Sequence, residues 1–284
     1  MIGGGLRAEH FQAFRDRFGI EEVFEFYGAS EFNTSFVNIL NLNGTVGLSV
    51  PGWALVRFDP ETGAPVRNSR GRLIRVGRRE PGLLVSRVTP RFTFDGYTDP
   101  KESEGKRLRD AFRKGDVWVS SGDIMRRVGL GHLRFVDRVG DTFRWKGENV
   151  ATLEVERALG REPWIRETCV VGVRVPGHGG RAGLAVIVPT EEAWSSAEPP
   201  WAARALVRRL DARLPPFAVP VFLRIERGLE RTSTLKNRRA AMREQALDRA
   251  GKGDRRWVRT AGAPAYEPLS ADLLAAIEAG KRRL

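Results

Sequence analysis

An aromatic residue, a glycine, a hydroxyl and a carboxylate stand together near the start of this sequence. Tyr27 and Gly28 are followed closely by Ser30 and Glu31. An aromatic ring can pack on a nucleotide base, a hydroxyl can bind a phosphate oxygen, and a carboxylate can hold Mg²⁺. The same pattern also fits a strand that ends in a glycine turn with a surface glutamate. These four residues therefore indicate a nucleotide site only if other motifs support it.

A second candidate is Asp123, which follows an apolar strand predicted at 117–120 and the turn residues Ser121 and Gly122. A strand that delivers an aspartate onto a turn can offer two acceptor oxygens to ribose hydroxyls. A Gly-Asp pair is also common in ordinary turns. The binding interpretation again depends on whether other motifs of a nucleotide site are present.

Lys236 lies in a Thr/Ser-rich segment, residues 231–237. Its ammonium group has three donors and can neutralise negative charge that develops during nucleophilic attack. With Arg238 and Arg239 beside it, Lys236 also fits a solvated surface lysine.

Residues 137–150 form the most unusual stretch, an Asp-Arg-x-Gly-Asp turn followed by Arg144-Trp145-Lys146-Gly147. Taken alone, this stretch fits a β-hairpin whose charges are solvated. With the other motifs, the chain resembles the adenylate-forming enzymes, and it is most similar to their fatty acid transport protein branch, the very-long-chain acyl-CoA synthetases.

The resemblance includes substitutions as well as matches. Residues 27–31 are similar to the family motif Tyr-Gly-x-Thr-Glu, with Ser30 in place of Thr, and Asp123 falls in the Thr-Gly-Asp element. Phe32 stands where this branch usually has glycine, and Ser233 replaces the glycine of Thr-Gly-Thr before the lysine.

The resemblance implies a role for each matching residue. It implies nucleotide binding by Tyr27, Gly28, Ser30, Asp123 and Arg138, and Mg²⁺ binding by Glu31. It implies that Lys236 is the catalytic lysine and that Gly140 and Asp141 form a hinge. It implies that Arg144, Trp145, Lys146 and Gly147 approach the pantetheine arm of coenzyme A. The co-substrates would be ATP, converted to AMP, and coenzyme A, with a fatty acid as the acyl donor.

Composition limits which binding partners and which cellular location the sequence favours. The net charge is +13, but only seven of the 48 basic residues are lysines, so an arginine bias is the simplest explanation. No helix-turn-helix, zinc-finger or aromatic RNA-reading motif accompanies the charge, which argues against nucleic acid as a partner. The single cysteine, Cys169, indicates a reducing compartment. With no apolar leader or spanning segment in the sequence, we expect a cytoplasmic location, with peripheral contact at the inner membrane face left open.

The periodicity predicts an α/β (α+β) chain with two domains. The resemblance implies that residues 1–138 are the incomplete C-terminal part of the large AMP-binding domain and that residues 139–284 are the small lid domain. Strands are predicted at 22–27, 46–52, 71–77, 117–120, 133–136, 169–175, 183–189 and 221–225. Helices are predicted at 107–112, from a cap at Thr152, and at 201–214.

The resemblance covers only the later half of a family member, and no Ser/Thr/Gly-rich phosphate loop precedes residue 27. We therefore expect a fatty acid–CoA ligase half that is inactive alone and needs a missing N-terminal half. The alternative is a non-catalytic module that binds coenzyme A, a partner subunit or a membrane.

Overall fold

The computed structural model describes residues 1–5, 11–28, 32–60, 62–96, 100–230, 239–244 and 255–284. The chain divides into two compact units, which we call unit 1 (Met1–Gly140) and unit 2 (Asp141–Leu284). Several sheets and interspersed helices confirm the predicted mixed α/β class.

Unit 1 is built mainly from strands. Its strands are β1 (Ile2–Gly3), β2 (Phe24–Tyr27), β3 (Phe36–Val37), β4 (Trp53–Val56), β5 (Gly82–Arg87), β6 (Arg107–Arg109), β7 (Val117–Gly129) and β8 (His132–Arg138). Its helices are α1 (Phe11–Phe18) and α2 (Pro100–Lys106). The smaller sheet has the order β1-β2-β3, and the larger has the order β4-β5-β7-β6 with β8 also paired to β7.

The larger sheet of unit 1 is buried on both faces. Successive residues of β5 alternate between two cores, so Leu84 packs with Met125 and Leu133 while Leu83 and Val85 pack on the other face. Because the side chains of a strand alternate between faces, a strand that is covered on both faces carries a continuous run of apolar residues. The apolar stretch within β5 is explained by this position.

Unit 2 combines a mixed sheet with packed helices. Its strands are β9 (Phe143–Trp145), β10 (Glu148–Val150), β11 (Ile165–Val173), β12 (Ala182–Pro189), β13 (Phe222–Ile225), β14 (Arg255–Val258) and β15 (Glu267–Pro268). Its helices are α3 (Thr152–Leu159), α4 (Glu191–Trp194), α5 (Arg204–Arg213), α6 (Arg239–Glu244) and α7 (Ala271–Glu278). The order β11-β12-β13-β14-β15 has β12 and β13 parallel and its other neighbours antiparallel.

The core of unit 2 lies between that sheet and its helices. Every residue of β12 is buried, as expected for a strand with neighbours on both sides. Leu206 and Leu210 of α5 join this core, and Leu214 follows as a buried residue at the helix end. The predicted leucine stripe is confirmed, and the helix ends before Pro215, which cannot continue it.

Several local predictions were right. Strands at 117–120 and 133–136 lie within the antiparallel pair β7 and β8. The predicted strands at 22–27, 183–189 and 221–225 correspond to β2, β12 and β13, and the one at 169–175 overlaps β11. The segments at 46–52 and 71–77 make only isolated bridges, such as Val37 with Leu48 and Arg67 with Leu73.

Two local predictions were wrong. Residues 107–112 do not form a helix, because Arg107–Arg109 pair with β7 as β6, and the helix α2 ends just before them. Cross-strand pairing and burial of Leu108 override the local helical pattern. Thr152 is also not the cap of α3, since the capping position is Ala151 and it makes no side-chain hydrogen bond.

Candidate functional site

Tyr27, Asp123 and Arg138 meet in unit 1 although they are far apart in the sequence. The Tyr27 hydroxyl donates a hydrogen bond of 2.6 Å to Asp123 Oδ2. Arg138 Nε lies 3.4 Å from Asp123 Oδ1. Asp123 and Arg138 are register partners in the β7–β8 ladder, which places their side chains together. Three residues that the sequence assigned to one nucleotide site therefore form a single cluster.

An irregular stretch of β7 presents Asp123. Gly122 adopts φ +77°, which suits glycine, and its carbonyl accepts a hydrogen bond from the Val139 amide at 2.8 Å. The Ser121 hydroxyl donates to the Leu84 carbonyl at 3.0 Å and accepts from the Asp123 amide at 3.0 Å. The register also shifts between Ile124 and Met125. Such irregularities redirect side chains at strand ends, and this one directs Asp123 towards Tyr27.

The electrostatics of the cluster keep the Tyr27 hydroxyl protonated. Burial raises the pKa of Tyr27 far above its usual value, and the neighbouring Asp123 carboxylate raises it further. Tyr27 therefore acts as a hydrogen-bond donor to Asp123. The Asp123 side chain is largely buried, whereas the Arg138 side chain is 60% exposed. The exposed guanidinium can donate to an anionic ligand.

Gly28 lies beside a cleft in unit 1. The cleft has a volume of about 730 Å³ and is lined by residues that include Phe26, Gly28 and Phe92. A Cβ on Gly28 would come within 3.1 Å of the Phe26 ring, so a larger residue would crowd the cleft wall. Ser30 and Glu31 lie outside the described residues. Phe32, the departure from the family pattern, is buried in the core of unit 1.

The predicted coenzyme A segment is a tight hairpin of unit 2. Arg144 and Trp145 lie in β9, and the turn residues Lys146 and Gly147 adopt φ +51° and +85°. Two successive positive φ angles are typical of the two-residue turns that join antiparallel strands. Trp145 is only 3% exposed and lies in the core, with its ring 6.1 Å from that of His178. Arg144, Lys146 and Gly147 are exposed, so the turn is anchored by Trp145 and displays the other three.

The unit boundary falls between the two predicted hinge residues, Gly140 and Asp141. Gly140 has φ +88°, and a Cβ there would meet nothing within 4 Å. Asp141 accepts a 3.0 Å hydrogen bond from Arg243 Nη2 and lies 3.6 Å from Arg239 Nε. Asp141 is therefore held by two arginines of α6.

Lys236 lies outside the described residues, but Arg239, at the start of α6, is defined. Arg239 Nη2 donates to Glu156 Oε1 at 2.7 Å, and Nη1 donates to Thr152 Oγ1 at 2.9 Å. Sequence reasoning missed this network. The available signal was Glu156, an acidic residue on the face of α3 that carries Val155 and Leu159, since a buried carboxylate requires a partner.

The described residues contain no group of three or more His, Cys, Asp or Glu side chains that could hold a metal ion. They also contain no helix with the length and apolarity needed to cross a bilayer.

Comparison with known proteins defines the class. Residues 154–236 match the AMP-binding enzyme C-terminal domain. The ATP-bound structure of MatB from Rhodopseudomonas palustris superposes with a TM-score of 0.66 at 23% identity, over 87% of this chain and 45% of that one. The chain belongs to the adenylate-forming, AMP-binding enzymes and corresponds to their C-terminal part, which confirms the resemblance predicted from the motifs.

The relatives of this chain include a fatty-acid–CoA ligase and long-chain fatty acid transport proteins. The medium/long-chain-fatty-acid–CoA ligase FadD6 of Mycobacterium tuberculosis is 45% identical over 99% of this chain and 46% of its own length. The human long-chain fatty acid transport protein 3 is 38% identical over 100% of this chain and 42% of its own length. The chain thus spans somewhat less than half the length of the curated relatives that it matches.

Proposed function

We propose that this chain is the C-terminal half of a fatty acid–CoA ligase that works through an acyl-adenylate. The observation that carries the proposal is the meeting of Tyr27, Asp123 and Arg138 in one cluster. The 45% identity to a fatty-acid–CoA ligase along nearly the whole chain supports the choice of substrate class.

In the first step, a fatty acid carboxylate attacks the α-phosphate of ATP and pyrophosphate leaves. Asp123 accepts hydrogen bonds from the ribose hydroxyls while the Tyr27 hydroxyl donates a hydrogen bond to its Oδ2 atom. Arg138 donates to the ribose and phosphate oxygens. Lys236 neutralises charge that develops on the carboxylate and the α-phosphate. Glu31 would hold Mg²⁺ together with the nucleotide phosphates, and the metal would offset phosphate charge.

In the second step, the coenzyme A thiol attacks the acyl carbonyl, a thioester forms and AMP leaves. Unit 2 would reorient about Gly140 and Asp141 to present the β9–β10 turn to this substrate. Arg144 and Lys146 are exposed there and can face the anionic and amide groups of coenzyme A. Trp145 contributes from the core by fixing the turn.

We further propose that residues outside this chain complete the first step. The phosphate loop of such enzymes precedes the Tyr-Gly motif, and the curated relatives are about twice as long as the match. The partner would be the N-terminal half, supplied by the same polypeptide or by a separate one.

The proposal includes a cytoplasmic location with peripheral contact at a membrane face. Ile39, Leu40 and Leu130 are exposed apolar residues of unit 1, and residues 32–58 contain no acidic side chain. Exposed apolar side chains without acidic residues nearby in the sequence would not be repelled by a layer of anionic lipid headgroups.

The deciding experiment uses the natural gene product from its own cells. Its mass is compared with 31.7 kDa, and the purified product is assayed with ATP, coenzyme A and a fatty acid. We expect a heavier product, or one with a partner chain, that forms acyl-CoA and loses activity when Asp123→Asn is introduced.

The purified 284-residue chain provides the contrasting sample. We expect it to release no pyrophosphate from ATP in the presence of a fatty acid. Release that disappears in Lys236→Ala would show that the chain is self-sufficient and would contradict the half-enzyme proposal. Coenzyme A binding by calorimetry, combined with a natural product that forms no acyl-CoA, would favour the binding-module alternative.

A further inference from the structure

The β7–β8 hairpin ends in the most exposed large apolar side chain of the described residues. Leu130 is 77% exposed, and Val128 shortly before it is 40% exposed. Leu130 and Gly131 connect the two strands, and both have positive φ angles, +48° and +76°. This geometry is typical of a two-residue hairpin turn, in which asparagine, aspartate or glycine is preferred at the first position.

Leucine is an unfavourable residue at this first turn position. A bulky side chain at positive φ is strained, and an exposed leucine does not offset the strain by burying its apolar surface. Strained backbone positions of this kind cluster at sites that bind a partner. The Leu130 side chain therefore indicates a contact that the turn itself does not require.

A second exposed apolar segment, the loop of residues 38–45, lies beside the hairpin end. The Thr45 hydroxyl oxygen and His132 Nδ1 are 3.0 Å apart, and Arg134 Nε donates to the Gly44 carbonyl at 3.0 Å. These contacts hold the loop against the start of β8. The loop exposes three large apolar side chains of its own, Ile39, Leu40 and Leu42.

We call residues 38–45 and 126–134 together the apolar tip, and its charged residues are all arginines. They are Arg126, Arg127 and Arg134, and all three are exposed. No acidic residue occurs between Asp123 and Asp137. An anionic bilayer offers a negative surface and an apolar interior, so it complements both the arginines and the apolar side chains.

We propose that the apolar tip docks this protein on anionic membrane surfaces. Leu130 and the apolar side chains of the loop enter the boundary between headgroups and acyl chains, and the three arginines contact lipid phosphates. This inference rests on the proposed function and deepens its membrane contact, which it assigns to one surface and to one lipid charge.

The docked hairpin also positions the nucleotide cluster. Asp123 lies in β7, the strand that leads to Leu130, at about 20 Å from the strand end. Docking therefore keeps the cluster of Tyr27, Asp123 and Arg138 close to the bilayer, which is the phase in which a long-chain fatty acid dissolves.

The substitution Leu130→Asn separates docking from folding. Asparagine suits a positive φ, so the variant is expected to melt at a higher temperature than the original chain. Its affinity for vesicles of equimolar phosphatidylcholine and phosphatidylglycerol should fall at least about tenfold, because the leucine side chain no longer enters the bilayer. Co-sedimentation of the 284-residue chain with these vesicles measures the affinity, and the natural gene product is measured in parallel.

A double variant, Arg126→Gln with Arg127→Gln, tests the lipid charge. Loss of two cationic groups should weaken binding to the anionic vesicles about 10- to 30-fold and leave binding to pure phosphatidylcholine vesicles unchanged. Phe18→Asn is the matched control, since Phe18 is 61% exposed but lies in α1, outside the apolar tip. This control should bind both kinds of vesicle as the original chain does.

Several results would overturn the proposal. Unchanged vesicle binding by Leu130→Asn, or an equal loss in Phe18→Asn, would show that the apolar tip is not the docking surface. A dimer that forms without vesicles and dissociates in Leu130→Asn would assign the surface to a second copy of the chain. Vesicle binding by the 284-residue chain but not by the natural product would mean that residues outside the chain cover the tip.

The vesicle assay is independent of the ligation assay. Docking can hold in a chain that forms no acyl-CoA, because vesicle binding requires neither ATP nor coenzyme A. Conversely, a failed docking experiment leaves a positive ligation assay intact.

Discussion

Each unit holds a carboxylate that faces an arginine, but the two pairs are built differently. In unit 1, Arg138 is 60% exposed and lies 3.4 Å from Asp123. In unit 2, Arg239 is 17% exposed and lies 2.7 Å from Glu156, which is 1% exposed. The first pair lies at the end of a strand ladder, whereas the second joins α6 to α3.

This difference separates a site that can receive a ligand from a contact that holds a fold. An exposed guanidinium retains its hydration and can exchange water for a phosphate or a hydroxyl. A buried pair has already lost that hydration and depends on its internal hydrogen bonds. Exposure of the arginine therefore distinguishes the two pairs better than their chemistry does.

The largest expected contrast is between Arg239→Ala and Arg138→Ala. Arg239→Ala should lower the free energy of unfolding of unit 2 by about 3–5 kcal/mol, because the Glu156 carboxylate loses its cation in a buried setting. Arg138→Ala should cost about 1 kcal/mol or less, because its guanidinium is 60% exposed and the Asp123 carboxylate keeps its hydrogen bond from Tyr27. Urea unfolding curves of both variants would measure this, and equal losses would remove the distinction.

Asp123→Asn should affect binding more than folding. The neutral amide weakens the contacts with Arg138 and with ribose, so kcat/KM for ATP of the natural ligase should fall about 10- to 100-fold. Asp116→Asn is a suitable control, since Asp116 serves the fold by accepting from the Trp118 indole at 2.9 Å and from the Arg113 amide at 3.1 Å. A similar loss of kcat/KM in both variants would argue against a specific nucleotide role.

Tyr27→Phe should have a smaller effect. It removes the 2.6 Å hydrogen bond to Asp123 but keeps the ring, so we expect a stability loss of about 1 kcal/mol. The loss in kcat/KM for ATP should be smaller than for Asp123→Asn, because Asp123 still faces Arg138. Thermal unfolding and ATP kinetics on the same preparation would check both statements.

The smallest expected effect is a difference in acid sensitivity between the units. Burial lowers the pKa of His132 in unit 1. In unit 2, burial acts to raise the pKa of Glu162, but hydrogen bonds from Arg209 and Arg213 outweigh it and hold that pKa below its usual value. Both groups bind protons less readily in the folded chain, so each contribution to stability is lost as pH falls.

The pH windows of these two contributions differ. The His132 contribution should begin to decline as pH falls below about 6.5, and the Glu162 contribution below about 4.5. Unit 1 should therefore weaken first in a series of melting curves between neutral and acidic pH. Glu162→Gln should flatten only the later decline, and an unchanged profile in that variant would contradict the assignment.

Sequence reasoning succeeded where local pattern and motif agreed. The strands at 117–120 and 133–136 were predicted correctly, and the family was predicted from the motifs and their spacing. Asp123, which was expected on a turn, lies instead within β7, and Arg138 ends β8. The helix expected at 107–112 failed because pairing of Arg107–Arg109 with β7 is a tertiary contact that periodicity does not encode.

The hydrogen-bond network of Arg239 and Arg243 in unit 2 could not be predicted from the sequence for the same reason. Arg239 and Glu156 are 83 residues apart, and Arg243 and Asp141 are 102 apart. A sequence shows that Glu156 requires a partner but does not identify which of many arginines provides it. The packing of α6 against β11 and α3 determines which arginine pairs with Glu156.

The fully buried strand β12 has a consequence for producing the protein. Its run of small and branched apolar residues lacks internal charge, which is the composition of segments that self-associate when exposed. Its parallel neighbour β13 arrives only after the intervening helices have been made, so one edge of β12 stays open during synthesis. Arg181 and Glu191 flank the run, and charged residues at such positions oppose aggregation. Neutralising either residue is expected to lower soluble yield without changing the folded structure.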